Sequence, residues 1–169
     1  AQNFYIAKYD QKSKELSFVY YLDQNSKNAE IDSQPRTFGN GFTEYIIRTG
    51  ETHLLNNQQM YALYEQGETR KPQTATKSWL GVPLLHSGVV LGAMVLQSYN
   101  LSTTFTEQDA ELLKFVSQHV SSAIKRRELL EFERQSHILL EQQVKLRTVA
   151  LEDEIKQRKE VEEQLQHTA

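Results

Sequence analysis

Cysteine is absent from this chain of 169 residues. That excludes disulfides, thiolate metal sites, thiol catalysis and thioether attachment of a chromophore, and it fits a reducing compartment. Proline and glycine are scarce and confined. The three prolines and seven glycines all lie between Pro35 and Gly92, so nothing after Gly92 interrupts a helix. Positive charge has no surplus: 19 basic against 22 acidic residues leave a net charge of −3, without the basic cluster that a nucleic-acid surface needs. No apolar run approaches the roughly 20 residues of a membrane span, and no charged segment followed by an apolar stretch opens the chain. These absences predict a cytoplasmic chain without membrane contact. At about 150 residues per domain, its length suits one domain with a core and an appendage.

What is present centres on residues 77–100, KSWLGVPLLHSGVVLGAMVLQSYN. Residues 79–85 and 89–99 read as two strands joined by a tight turn at His86, Ser87 and Gly88. Both strands carry apolar residues at odd and even positions alike, so both faces of the hairpin are predicted to be covered. Gly81 and Gly92 remove side chains where something comes close. Pro83 cannot donate to a ladder and predicts a local break or an edge on its N–H side.

Upstream, residues 4–10 and 16–23 alternate as strands around the polar turn 11–14, with Leu16, Phe18, Tyr20 and Leu22 on one face and Val19 and Tyr21 on the other. Residues 24–36 are polar and predict a mobile surface loop. Phe42, Tyr45 and Ile46 at i, i+3 and i+4 predict a short amphipathic helix closed by Gly50. A brief strand at 53–55 follows. Asn57 is placed to cap a second short helix with Met60, Tyr61 and Tyr64 on one face, ended by Gly67, and the polar stretch 68–77 reads as a second mobile loop.

Thr106 with Asp109 three residues later forms a capping-box pattern, with Phe105 as the staple. From there to Ala169 a single helix is predicted, about 64 residues and about 95 Å long at 1.5 Å per residue. Leu112, Leu113, Val116, Val120, Ala123 and Ile124 would pack on the sheet. From Lys125 onward the chain carries nine Lys/Arg and ten Asp/Glu, and the helix is predicted to leave the domain. The expected division is therefore 1–124 and 125–169. Steps of four and three from Val116 trace a seam through Leu130, Val144, Leu151 and Ile155, while Phe132, Leu139 and Leu146 recur every seven residues on another face. A helix with two competing seams predicts a parallel homodimer with two comparable packings.

The blocks NFYIAKYD, ELSFVYYLD, PRTFGNGFTEYIIRTG, SWLGVPLL with VVLGAMVLQSYN, and FTEQDAELLKFVSQHVSSAI resemble, in order and spacing, the GAF domains of bacterial signalling proteins over residues 3–125. The resemblance implies an α+β fold. Its antiparallel sheet of five or six strands, in the order 2-1-5-4-3, would have helices on both faces and a long C-terminal coiled-coil helix. It also implies that the helix with which such domains normally begin is missing here. By the same resemblance the chain is a sensor, and with no Ser-His-Asp arrangement, phosphate-cradling glycine loop or paired-carboxylate signature in its spacing, catalytic activity is not expected. It would bind a small molecule and signal to an output domain in the same chain. Residues 164–169, QLQHTA, resemble the lead-in to diguanylate cyclase (GGDEF) domains, and histidine kinases are approached by similar helices. The alternative is a ligand-free domain acting as a dimerisation spacer. A convergent polar cavity under the short helices separates the two readings.

In this family the ligand lies between the sheet and the short helices, which selects Tyr21, Tyr45, Tyr61, Trp79, Gln97 and Tyr99 as candidate ligand-binding residues. Core packing is the competing role for each aromatic. The sequence names no particular cofactor. The five histidines fall on different elements without carboxylate clusters, and no metal site is expected. Cyclic-nucleotide-binding members carry an Asn-Lys pair and a Phe-x-x-x-Asp-Glu motif. Phe105 and Asp109 match part of the second, but Ala110 replaces its Glu and no Asn-Lys pair occurs, so cyclic nucleotides are not expected.

Overall fold

A computed structural model describes residues 3–23, 34–71, 76–100 and 102–167, with side chains described through 163. The chain divides into two compact units, Ala1–Ile124 and Lys125–Ala169. In order, the elements are β1 (Asn3–Asp10), β2 (Glu15–Asp23), β3 (Arg36–Thr37), α1 (Phe42–Thr49), β4 (His53–Asn56), α2 (Asn57–Glu65), β5 (Ser78–His86), β6 (Val89–Ser98) and α3 (Glu107–His167).

The strands form one antiparallel sheet in the order β3-β2-β1-β6-β5-β4. Five of them stand in the predicted 2-1-5-4-3 arrangement. The difference is β3, a two-residue strand that adds to the β2 edge by pairing Leu16 with Arg36 and Glu15 with Thr37. A polar two-residue strand leaves no hydrophobic signature, and the sequence reading placed Arg36 in a loop. The rest of the predicted loop 24–36 falls mostly outside the described residues, as do residues 72–75 of the second.

The central strands bury both faces. Along β5, Leu80, Val82 and Leu84 enter one core with Leu91, Met94, Ala110 and Leu113, while Trp79 enters the other with Tyr5, Ala7, Ile46, Met60, Ala93 and Val95. Each fully buried large side chain contributes about 1.5–3 kcal/mol, so two cores on one sheet hold β1, β6 and β5 from both sides. The β5–β6 turn is two residues, Ser87 and Gly88, with φ of 49° and 78°. That is the left-handed pair a tight hairpin of native twist requires. Pro83 lies beyond Gly81, the last β5 residue paired with β4, where β5 has an open edge.

Two bulges adjust the register. Between β1 and β2, Ile6 pairs with Tyr20 and Ala7 with Phe18, which leaves Val19 extra. The extra residue reverses the alternation beyond it. Leu16, Phe18 and Tyr21 therefore share the α1 side, whereas Val19, Tyr20 and Leu22 are about half exposed. The predicted faces of β2 are corrected accordingly. Between β5 and β6, Leu84 pairs with Gly92 and Leu85 with Val90, so Leu91 is extra.

The helices also depart from their predicted faces. On α1 the buried residues are Thr43, Glu44, Ile46 and Ile47; of the predicted face Ile46 is buried, whereas Phe42 and Tyr45 are only partly so, and Gly50, at φ 68°, supplies the predicted left-handed cap. On α2 only Met60 is buried, with Leu63 packed beside it, and Tyr61 and Tyr64 are each 40% exposed. Its N-cap is Asn56, not Asn57, and Gln59 completes a capping box. Thr106 and Asp109 make the predicted box at the start of α3. The α3 residues that face the sheet are Ala110, Leu113, Ser117, Val120, Ser121 and Ile124, while Leu112 is 64% exposed and Val116 and Ala123 point away from the core. Small Ala and Ser at buried positions let the helix approach closely, and a rule that selects only large apolar residues passes over them.

Gly92 sets the tightest backbone approach. Its φ is 157°, and a Cβ there would lie 2.0 Å from the Ala7 carbonyl oxygen. Neither β1 nor β6 can yield without opening the ladder between them. Gly92→Ala is expected to cost at least about 2 kcal/mol in urea unfolding, against a few tenths for Gly67→Asn at the exposed end of α2. Equal costs at the two positions would refute this account.

Candidate functional site

On the α1 side of the sheet lies a cavity of about 270 Å³. Its floor comes from β1 and β6, where Asn3 and Gln97 stand opposite each other in the ladder. Phe18 and Tyr21 on β2 form one wall, and it is the bulge at Val19 that brings both to this side. Phe42, Thr43 and Glu44 at the start of α1 form the other. Met60, Thr76 and Tyr99 close it, and Arg36, Arg70 and Lys71 add three cationic side chains.

Two of its polar groups are buried and incompletely bonded. Asn3 is 3% exposed; its amide nitrogen donates to Gln97 Oε1 at 3.0 Å and Tyr99 Oη at 3.2 Å, but its Oδ1 accepts from nothing. Glu44 is 1% exposed; its Oε1 pairs with the Arg36 guanidinium and accepts from Gly39 N–H, and its Oε2 has no partner. A buried acceptor without a donor costs about 1–3 kcal/mol, so two in one cavity are a substantial deficit. Burial pushes the Glu44 carboxyl up, but the Arg36 guanidinium and nearby backbone amides outweigh it and hold the group below the ordinary glutamate range, ionised at neutral pH.

Two tyrosine hydroxyls of the wall are engaged. Tyr5 Oη and Thr43 Oγ1 bond each other at 2.8 Å, and burial raises the Tyr5 hydroxyl so far that it stays protonated. Burial and the neighbouring Asp23 also raise Tyr21. Among the described residues no group of three or more His, Cys, Asp or Glu is placed to hold a metal ion. His53, which burial keeps toward its neutral form, packs on Tyr45 outside the cavity.

Of the six residues selected from sequence, the structure brings Tyr21, Gln97 and Tyr99 together at the cavity. Tyr45, Tyr61 and Trp79 do not line it. Tyr45 turns to the outer side of α1 against His53 and Arg48, and Tyr61 sits on the exposed face of α2. Trp79 is fully buried one layer behind, its ring filling the space over Gly81 and lying 5.8 Å from that of Phe42. The two buried acceptors and all three cations were missed. Glu44 left one sequence signal, an acidic residue adjoining the apolar positions of a short helix. Asn3 and Arg70 left none, since strand register and a loop path put them there.

The family model for the GAF domain matches residues 1–125. With the fold above, this chain belongs to the GAF domain family. A curated relative, the circadian input-output histidine kinase CikA of Thermosynechococcus vestitus, is 30% identical over 108 residues, which are 63% of this chain and 15% of that protein. This chain therefore spans a small part of that relative's length. Among solved structures, the GAF domain of an Acinetobacter phosphoenolpyruvate-protein phosphotransferase superposes with a TM-score of 0.60 at 15% identity, covering 77% of this chain and 74% of that one. The free methionine-R-sulfoxide reductase of Neisseria meningitidis, solved with its substrate, gives 0.53 at 18% identity, covering 72% and 65%. At these identities the two structures bear on the fold alone.

The Arg36–Glu44 pair makes stability depend on pH in a definite direction. A carboxyl held low in the folded state stabilises it in full above its ordinary value of 4.5, and that contribution is lost as the pH falls through the depressed folded value. Arg36→Gln is expected to cost about 1–2 kcal/mol at neutral pH, less than for a fully buried pair because the guanidinium is 37% exposed. The gap between wild type and variant should narrow as the pH falls below 4.5 through the depressed folded value, where the carboxyl becomes protonated in both. A gap that urea titrations find unchanged from pH 7 to pH 3 would sink this assignment.

Proposed function

We propose that residues 1–124 form a cytoplasmic sensor that binds a small molecule in the cavity between the sheet and α1, and that α3 passes the resulting bias to an output domain of the same chain. The observation that carries this reading is the cavity with two buried, unpartnered acceptors, Asn3 Oδ1 and Glu44 Oε2. A domain serving only as a dimerisation spacer gains nothing from such a deficit, and an apolar filling there would be more stable. No helix among the described residues is long and apolar enough to cross a membrane.

The domain acts by binding rather than by catalysis. The Thr43 hydroxyl is engaged by a Tyr5 that stays protonated, so this pair supplies no base beside a nucleophile. For the output, the histidine kinase relative favours a kinase. The resemblance of residues 164–169 to the approach of a diguanylate cyclase supports the second reading.

Transmission requires a partner for the C-terminal unit, and the proposal is a parallel homodimer. In this unit taken by itself, Leu130, Val144, Leu151 and Ile155 of one seam and Phe132, Leu139 and Leu146 of the other are all half or more exposed. A lone helix of this length is costly without tertiary contacts, and burial of either seam by a second copy supplies them. Two seams of similar quality give the two-state element that signalling needs.

Trp79, the single tryptophan, sits one ring behind the cavity wall and serves as the reporter. A bound metabolite is expected to shift its emission and raise the thermal midpoint together, and a broad metabolite screen silent in both readouts would refute the sensor reading. Single cysteines at Leu151 or Ile155 should crosslink to their own copies. A monomer by sedimentation at high micromolar concentration would remove the dimer.

A further inference from the structure

Resting on the sensor reading, we propose that the ligand is a small aromatic carboxylate, its ring against Phe18, Tyr21 and Phe42 and its carboxylate held by Arg70 and Lys71 at the mouth of the cavity. Four charged side chains line this space, three cationic and one acidic. Glu44 is buried against Arg36, and the two charges offset each other. Arg70 and Lys71 remain, both exposed, and neither side chain has a hydrogen-bond or ion-pair partner among the described residues. Asp23, whose carboxylate accepts from Tyr21 Oη at 3.4 Å, is not part of the lining.

Two cations brought to one opening repel each other, and an anion between them turns that repulsion into attraction. A neutral or cationic ligand leaves the repulsion in place. Because the two residues are exposed, they mark the side from which a molecule enters, and the groups deeper in the cavity decide what the anion is attached to.

Those groups are aromatic. Phe18 and Tyr21 of β2 and Phe42 of α1 are partly buried rings on opposite walls, and the Arg36 guanidinium carbon lies 5.9 Å from the centroid of Phe18, so the cationic and aromatic parts of the lining adjoin. An anion on a flat apolar body matches both parts, whereas an inorganic anion or a short aliphatic acid would satisfy the mouth and leave the rings wet. A volume of about 270 Å³ equals roughly nine waters at about 30 Å³ each, room for one ring with its carboxylate and small for a nucleotide. On the floor, the Gln97 amide and the Tyr99 hydroxyl are partly exposed and bond each other at a long 3.4 Å. A hydroxyl on the ring, opposite the carboxylate, would meet them there.

The test uses the whole chain and two panels at millimolar concentration, read by thermal midpoint and confirmed by calorimetry. The first holds benzoate, phenylacetate, 4-hydroxybenzoate and 4-hydroxyphenylacetate, each beside its neutral amide. The second holds benzylamine, acetate, succinate and phenyl phosphate. At least one acid of the first panel is expected to bind, with its amide at least about tenfold weaker and its own affinity falling as sodium chloride is raised. Arg70→Met and Lys71→Met should each weaken that binding by about three- to tenfold, and Lys71→Glu by more. The unliganded variants should melt with the wild type, because neither side chain has a partner to lose. An amide that binds as tightly as its acid overturns the proposal, as does full affinity in both methionine variants. Binding from the second panel alone overturns the aromatic carboxylate and leaves the sensor standing. Silence in both panels also overturns it, and the broad metabolite screen then decides the sensor reading separately.

Discussion

Everything in the domain depends on a sheet that must be covered on both faces. Because β1, β6 and β5 present apolar side chains above and below, one cover is not enough. The first turns of α3 close one face with Ala110, Leu113, Val120 and Ile124. Among the described residues the opposite face is covered by the short helices α1 and α2, which bring few buried side chains, with Phe38 packed beside them. Eight- and nine-residue helices cannot fill the whole area, and the shortfall at the β2–β1–β6 end is the cavity. The cavity is thus a consequence of unequal covers.

The cavity is polar because its rim is built from chain ends and turns, where backbone and side-chain polar groups collect. The start of α1 contributes Gly41, Thr43 and Glu44, and a carboxylate in the first turn is favoured by the helix dipole as well as by Arg36. That support lets Glu44 remain ionised while almost fully buried. One oxygen is bonded within the protein and the other is not, so the empty site is less stable than it would be if filled. A ligand that supplies the missing donors gains free energy unavailable to the apo domain, which is the condition for a ligand to shift a conformational equilibrium.

Such a shift has a mechanical route inside the domain. Arg36 belongs to β3, the short outermost strand, and reaches across to α1, so α1, β3 and the β2 edge meet at a single carboxylate. The β1–β6 ladder that carries Asn3 and Gln97 also carries Phe4, Ile6 and Met94 on its reverse, packed in the cluster that contains the first turns of α3. A change at one face of a sheet one residue thick is felt at the other through the same strands.

The sequence by itself determined the family and, through that resemblance, the order of five strands; it also determined those strands themselves, the N-caps of α2 and α3 to within one residue, and the absence of thiol chemistry. The strands and caps follow from local pattern, because alternation, turn residues and caps act over a few neighbours. It placed Tyr21, Gln97 and Tyr99 at the site but also Tyr45, Tyr61 and Trp79, because an aromatic on a short helix or central strand looks the same whether it lines a void, packs behind it or faces solvent. Only the tertiary structure decided among these. The bulge at Val19 turned Tyr21 inward, the path of the chain after α2 brought Arg70 beside Gly41, and the two-residue strand β3 set Arg36 on Glu44. Each of these is a non-local event, a choice of register or of chain path whose free energy comes from partners far away in sequence.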